Sequence, residues 1–226
     1  MLAAIALIPS APVLVPELAG AAAAEVADLR AAVLTAAAEL PSRWIAIGAG
    51  DADQVIAATA VGTFAGYGAD VRVALSPDAT DPVAELPLVA LVTGWVRGQV
   101  NAGRTAEVRI YADLGEQAVH RGMTLRTELD ESPEPVGVLV VADGANTLTQ
   151  SAPGGFDPDA PSAQAALDDA LAAGDAGAVI GCATGAVGQG AYQVLAGLAG
   201  SRPVPARALY RGAPFGVGYF AGTWLR

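Results

Sequence analysis

A single-domain α/β sandwich, with a central mixed sheet and helices on both faces, is the fold this sequence predicts, and three observations predict it. Short continuous apolar runs, notably 2–8 and 136–141, have the pattern of strands covered on both faces. Segments with apolar residues at three- and four-residue intervals lie between the strand-like runs, as in alternating strand and helix units. Near the end of the chain two strand-like stretches, 204–210 and 217–224, follow each other without a helix, so some pairing there is antiparallel. With 226 residues, 53% of them hydrophobic, the chain can bury a full core, and one domain over 1–226 is expected.

The elements follow in order. Residues 2–8 form a strand closed by Pro9. Leu18, Ala22, Val26, Leu29, Val33, Ala36 and Leu40 share a helical period, which predicts one long helix ending before Pro41. Residues 44–47 read as a strand running into the Gly48-Ala49-Gly50-Asp51 loop, and 70–75 as another stopped by Ser76-Pro77. A helix over 86–100 comes next, then a strand through Val108 and Ile110, then a helix over 114–129 with Gly122 as its weak point. The strand at 136–141 is bounded by prolines before it and Asp143-Gly144 after it. Residues 147–161 are rich in Gly, Pro, Asp and Ser and read as a long loop, after which 162–172 is helical. A strand-like run at 178–181, a Gly-rich turn and a helix at 191–198 lead to the final two strands.

Charge and composition exclude several classes of partner. All 12 basic residues are Arg, against 23 acidic ones, and the net charge of -11 repels phosphate backbones and anionic lipid surfaces. Neither nucleic acid nor a membrane is an expected partner. No apolar run approaches the roughly 18 residues of a membrane span, and the apolar start lacks a preceding basic residue and meets Pro9 and Pro12 at once. One cysteine, Cys182, forms no internal disulfide, which fits a reducing cytoplasm.

Four stretches carry a resemblance. Ile5-Ala6-Leu7-Ile8-Pro9-Ser10-Ala11-Pro12-Val13-Leu14-Val15-Pro16 is similar to an opening strand followed by a Pro-His-Pro-Pro turn. Residues 44–51 are similar to a strand ending in Ser-Pro-His. Residues 138–148 with 152–158 look like a strand, a Gly-Asp-x-Ser-His turn and a Gly/Pro-rich loop, and 181–197 is the fourth stretch. In this order they resemble the catalytic B-type subunit of the class III extradiol, aromatic ring-opening dioxygenases. That family, as the resemblance implies, holds a non-heme Fe(II) on two His and a carboxylate, with a further His as acid/base. Imidazole and carboxylate suit Fe(II), and a facial set of three leaves open positions for substrate and dioxygen.

The chain contains one histidine, His120, and it lies outside all four stretches. The first ligand position falls on Ser10, the second on Gly50 or Asp51, and the third near Val187 to Gln189. The acid/base position falls on Asn146, which hydrogen-bonds but does not exchange protons near neutral pH. The expectation is therefore the family's fold without its iron and with no cofactor. Ser10, Gly50, Asp51, Asp143, Asn146 and Gln189 are the candidate pocket residues for a small aromatic or anionic molecule. Two alternatives stand beside it: an enzyme rebuilt on Asp51, Asp143 or Asn146 with another metal or none, and an interaction protein whose cleft is filled by side chains. A homodimer is expected from the resemblance and the apolar fraction.

Other constellations have plainer explanations. Asp51, Asp53, Asp143 and Asp157 could offer oxygen ligands to Mg²⁺ or Mn²⁺, but aspartates in such loops ordinarily cap backbone N–H groups. The glycine-rich segment 181–190 matches neither nucleotide-loop template and reads as a turn with close helix packing. Ser10 with His120 is not a credible nucleophile and base without proximity, and Cys182 reads as a small buried residue. Residues 215–220, with aromatics at alternating spacing, are expected to pack a sheet face.

Overall fold

A computed structural model describes residues 1–225, and it is a mixed α/β fold with a seven-stranded central sheet, a second sheet of three strands, and seven α-helices. The elements are β1 (Leu2–Ile8), α1 (Pro16–Ala19), α2 (Ala27–Ala38), β2 (Arg43–Ala49), β3 (Gln54–Ile56), β4 (Val61–Thr63), β5 (Arg72–Ala74), β6 (Val83–Ala84) and α3 (Leu88–Val100). They continue with β7 (Thr105–Tyr111), α4 (Glu116–Glu131), β8 (Val136–Val141), α5 (Ala160–Ala173), α6 (Ala176–Cys182), α7 (Gln189–Ala199), β9 (Ala206–Gly212) and β10 (Tyr219–Leu225).

The central sheet has the order β3-β7-β2-β8-β1-β10-β9. Its middle four strands, β7, β2, β8 and β1, are parallel, while β3, β10 and β9 pair antiparallel at the two sides. All six residues of β8 are buried, as a strand with helices on both faces requires. On one face α2 and α3 pack over Ala46, Val108, Leu139 and Ala221; on the other α4, α5, α6 and α7 cover Ile5, Ile47, Val138 and Trp224. The small sheet, in the order β5-β4-β6, sits on the α3 side. No helix among the described residues is long and apolar enough to cross a membrane.

Several expectations need correction. The helix expected over 18–40 is broken: α1 stops at Gly20, whose φ of 52° lies in a region that favours glycine, and a 3-10 turn precedes α2. The run at 178–181 is not a strand but part of α6. The Asp175 side chain accepts from the Ala178 amide at 3.0 Å to cap it, and Ala176 and Val179 bury one face at helical spacing. The strand at 70–75 shrinks to β5 and belongs to the small sheet, whose two- and three-residue strands carry too little periodicity to read in advance. The final antiparallel pair and β8 stand as expected.

Arginines hold two of the joints. The buried Arg97 donates from Nε to the Ala74 carbonyl at 2.8 Å and from Nη1 to the carbonyls of Ala102 and Arg104, tying β5 to the turn before β7. Arg104 stacks over Trp44 and donates to the carbonyls of Ala37 and Ala38, two of the orphan acceptors at the end of α2.

Gly122, which looked like a weak point in its helix, is where α4 crosses α7. A methyl on Gly122 would collide with the Val194 carbonyl, and one on Gly197 with the Val119 carbonyl. Only glycine on each side allows backbones so close. Gly197→Val is expected to cost about 1–3 kcal/mol or more through this overpacking. Gly181→Ala, in α6 with open space around it, should be neutral or slightly stabilising. Urea unfolding of the two variants checks the contrast, and equal losses would show that the crossing is not tight.

Candidate functional site

Because β2, β8 and β1 are parallel neighbours, the residues that follow them emerge at one edge: Ser10 after β1, Gly50 and Asp51 after β2, Asp143 after β8. Ligands bind at this edge in open α/β sheets. The segment leading into α7 is laid against it, with the Gly188 amide donating to the Asp143 carbonyl at 2.8 Å and the Val187 amide to the Gly144 carbonyl at 2.9 Å. A side chain at Gly188 would run into Ala142, so the sequence places glycine where the two backbones meet.

The structure divides the six pocket candidates into three places. Ser10 and Asp143 are joined: the Ser10 amide donates to Asp143 Oδ1 at 2.8 Å. Gly50, Asp51 and Gln189 line a cavity of about 490 Å³ beside that junction, over the ends of β2 and β7. Asn146 stands apart in its own loop. Its carbonyl accepts from the Gly154 amide at 2.9 Å, and its Oδ1 lies 2.5 Å from where a methyl on Gly154 would be. The loop 147–161 is less irregular than expected, since Leu148 and Phe156 form a β-bridge across it.

Asp143 is the most perturbed carboxyl at the edge. Burial pushes its pKa up to about 6, although the Ser10 hydrogen bond favours the charged form and pulls the other way. Its second oxygen takes no hydrogen bond from the described residues. The Tyr192 and Tyr219 hydroxyls are held well above the usual phenol range, first by burial and then by the charge of Asp143. Tyr192 donates to the Ala142 carbonyl at 3.1 Å, one residue from Asp143.

The cavity has a floor and a rim. Ala49, Tyr111 and Ala186 form the floor and pack against the core of the α7 face. Leu114 and Val187, each 55% exposed, stand at the rim. Gly50 fits because a methyl there would lie 2.6 Å from Ile110, and its amide donates to the Tyr111 carbonyl at 3.1 Å. Gln189 accepts from the Gly185 amide at 3.3 Å through Oε1, and its Nε2 has no hydrogen-bond partner among the described residues.

The four aspartates considered for a divalent cation do not come together. Asp53 accepts from the Ala112 amide and pairs with Arg121, Asp157 accepts from the Asp159 amide, and Asp143 holds Ser10. Among the described residues no group of three or more His, Cys, Asp or Glu is placed to hold a metal ion. The Fe(II) that the resemblance implies does not fit the positions matched to its ligands. Gly50 has no side chain, Ser10 and Gln189 offer only hydroxyl and amide oxygens, and Asp51 supplies a single carboxylate with no imidazole beside it. His120 is exposed on α4, beside a groove of about 970 Å³ that also takes in Met123 and Ile180.

No family model and no curated protein sequence matches the chain. Among solved structures it is similar to that of an uncharacterized protein from Escherichia coli K12, over 98% of this chain and 99% of that one. The TM-score is 0.55 and the identity 10%. At that identity the likeness shows the fold alone.

Residues the sequence did not single out complete the edge. Gln164 of α5 is buried beneath Gly144 and Gly218, where its Oε1 accepts from the Ala145 amide at 2.8 Å and its Nε2 donates to Asp168. The signal was present: Gln164 shares a helical face with Ala160, Leu167 and Leu171, and a glutamine on an apolar stripe needs a buried partner. Tyr192 gave no such signal, because the residues of α7 from Gly190 to Ala199 are buried all round.

The raised pKa of Asp143 fixes a sign. A carboxyl easier to protonate in the fold than in the unfolded chain contributes stability below about pH 4 that is lost as pH rises through about 6. Asp143→Asn keeps an oxygen for the Ser10 amide and removes the charge. The variant should therefore gain on the natural chain by about 1–3 kcal/mol between pH 4 and pH 7.5. Urea unfolding at the two pH values measures it, and parallel pH profiles would contradict the burial argument.

Proposed function

We propose that this chain is a divergent relative of the extradiol dioxygenase catalytic subunit that has lost the iron site and binds a small molecule at the carboxyl edge of its central sheet. One observation carries the proposal. The residues that stand where the family's ligands would be, Ser10, Gly50 with Asp51, and the segment ending at Gln189, all converge on one edge of adjacent parallel strands, with a cavity beside them. A cavity of about 490 Å³ is within the range of small-ligand sites. Ring cleavage by the inherited route is not part of the proposal, because a single imidazole does not make the two-His ligand set.

The chemistry left at the edge is hydrogen bonding and, at Asp143, proton exchange near pH 6. An enzyme rebuilt on Asp143 is therefore the second reading, favoured by the free second oxygen of that carboxyl. The interaction reading expects a cleft filled by side chains, and the cavity of about 490 Å³ at Gly50, Asp51 and Gln189 favours ligand binding over it.

Metal analysis of the purified protein with oxygen uptake on a panel of catechols tests the first reading. The expected outcome is iron far below one equivalent and no oxygen consumption above buffer, before and after loading with Fe(II) under anaerobic conditions. One equivalent of iron with catechol turnover would overturn it.

A further inference from the structure

The carboxylates along this edge are not equivalent. Asp53 and Asp113 both pair with Arg121, at 2.8 and 2.7 Å. Asp51 lines the cavity, is the only charged side chain among the described residues to do so, and has neither a hydrogen bond nor an ion pair there. The surrounding field, from a chain of net charge -11, has the same sign as Asp51. An anion would enter against that field and meet no cation in the lining. A positively charged nitrogen would meet a free acceptor at close range.

The rest of the cavity specifies a shape for what is attached to that nitrogen. The floor is two alanine methyls and the Tyr111 ring, whose hydroxyl is turned to Arg109, all packed against the core, and Leu114 and Val187 give the rim two aliphatic walls. Gln189, on the α7 side, uses its Oε1 on the Gly185 amide and keeps its amide hydrogens for an acceptor.

We infer that the cavity between the ends of β2 and β7 and the start of α7 is a site for a small organic cation, an amine with a compact apolar or aromatic body, whose ammonium group pairs with Asp51. The body lies on the Ala49, Tyr111 and Ala186 floor. An acceptor on the far side of the molecule, where it has one, takes the Gln189 amide. The inference rests on the ligand-binding proposal above and adds the sign of charge to it.

Chemical-shift titration of the full chain with 2-phenylethylamine and with 3-phenylpropanoate tests it. The two probes match in apolar body and differ in the sign of the head group. The amine is expected to shift signals of 49–51, 111–114 and 186–190, and to bind about two- to fivefold more tightly than the acid, the gain of one solvent-exposed charge pair. Asp51→Asn should remove that preference, while Asp53→Asn, which loses a partner of Arg121 outside the cavity lining, should leave it unchanged. Both side chains are exposed, so both variants should fold, and their amide spectra report it directly. Equal affinity for amine and acid, or an amine preference that survives Asp51→Asn, would overturn the assignment and leave the ligand-binding proposal standing. Absence of shifts at the cavity with either probe would overturn both.

Discussion

Burial of β8 on both faces leaves its carboxyl end without water to satisfy the backbone, so the turn after it has to find protein partners. It does so on three sides. The Ala142 carbonyl takes the Tyr192 hydroxyl, the Asp143 carbonyl takes the Gly188 amide, and the Gly144 amide donates to the Gly218 carbonyl. Gln164 supplies the acceptor for Ala145. Through these bonds one strand end fixes the start of α7, the turn into β10 and the inner face of α5. The Asp143 side chain extends the same junction to β1 through Ser10. An unpaired backbone group here would cost about 1–3 kcal/mol, comparable with a sizeable share of a domain's net stability.

The glycines around this junction follow from the same constraint. Gly188 lies against Ala142, while Gly144 and Gly218 lie against Gln164, so the segments approach at distances that a Cβ would forbid. The glycine-rich segment before α7, read from the sequence as a turn with close helix packing, is tightly packed backbone at Gly188. Its openness is confined to the outer side, where Val187 and Gln189 face the cavity.

Strand-level features were legible in the sequence wherever burial on both faces produced an unbroken apolar run, as at 2–8 and 136–141, and where two strands met without a helix. The alanine runs misled, because alanine favours a helix without saying where it stops; the break at Gly20 depends on one backbone angle. The 178–181 run misled for a different reason. Four apolar or small residues fit a strand or a helical turn equally, and the deciding capping aspartate lies outside the run. At the site, the sequence located the residues along the edge but not their division, which depends on side-chain direction: Asp143 turns toward Ser10, Asn146 toward Gly154, and Asp51 remains free. That Asp53 and Asp113 are neutralised and Asp51 is not follows from Arg121 alone, a residue on α4 with no sequence cue linking it to either.

The strand order also sets the sequence of assembly. β1 is enclosed between β8 and β10, and its antiparallel partner spans 219–225, more than two hundred residues further along. As the chain emerges from the ribosome, one hydrogen-bonding edge of an almost wholly apolar strand stays open until residues 219–225 have been made. Such an edge is a template for mispairing with other chains. The Trp224 side chain, fully buried and donating to the Leu171 carbonyl, ties β10 to α5. Without 219–225, β1 would keep β8 on one side and present its other edge unpaired, which favours aggregation over a smaller folded protein.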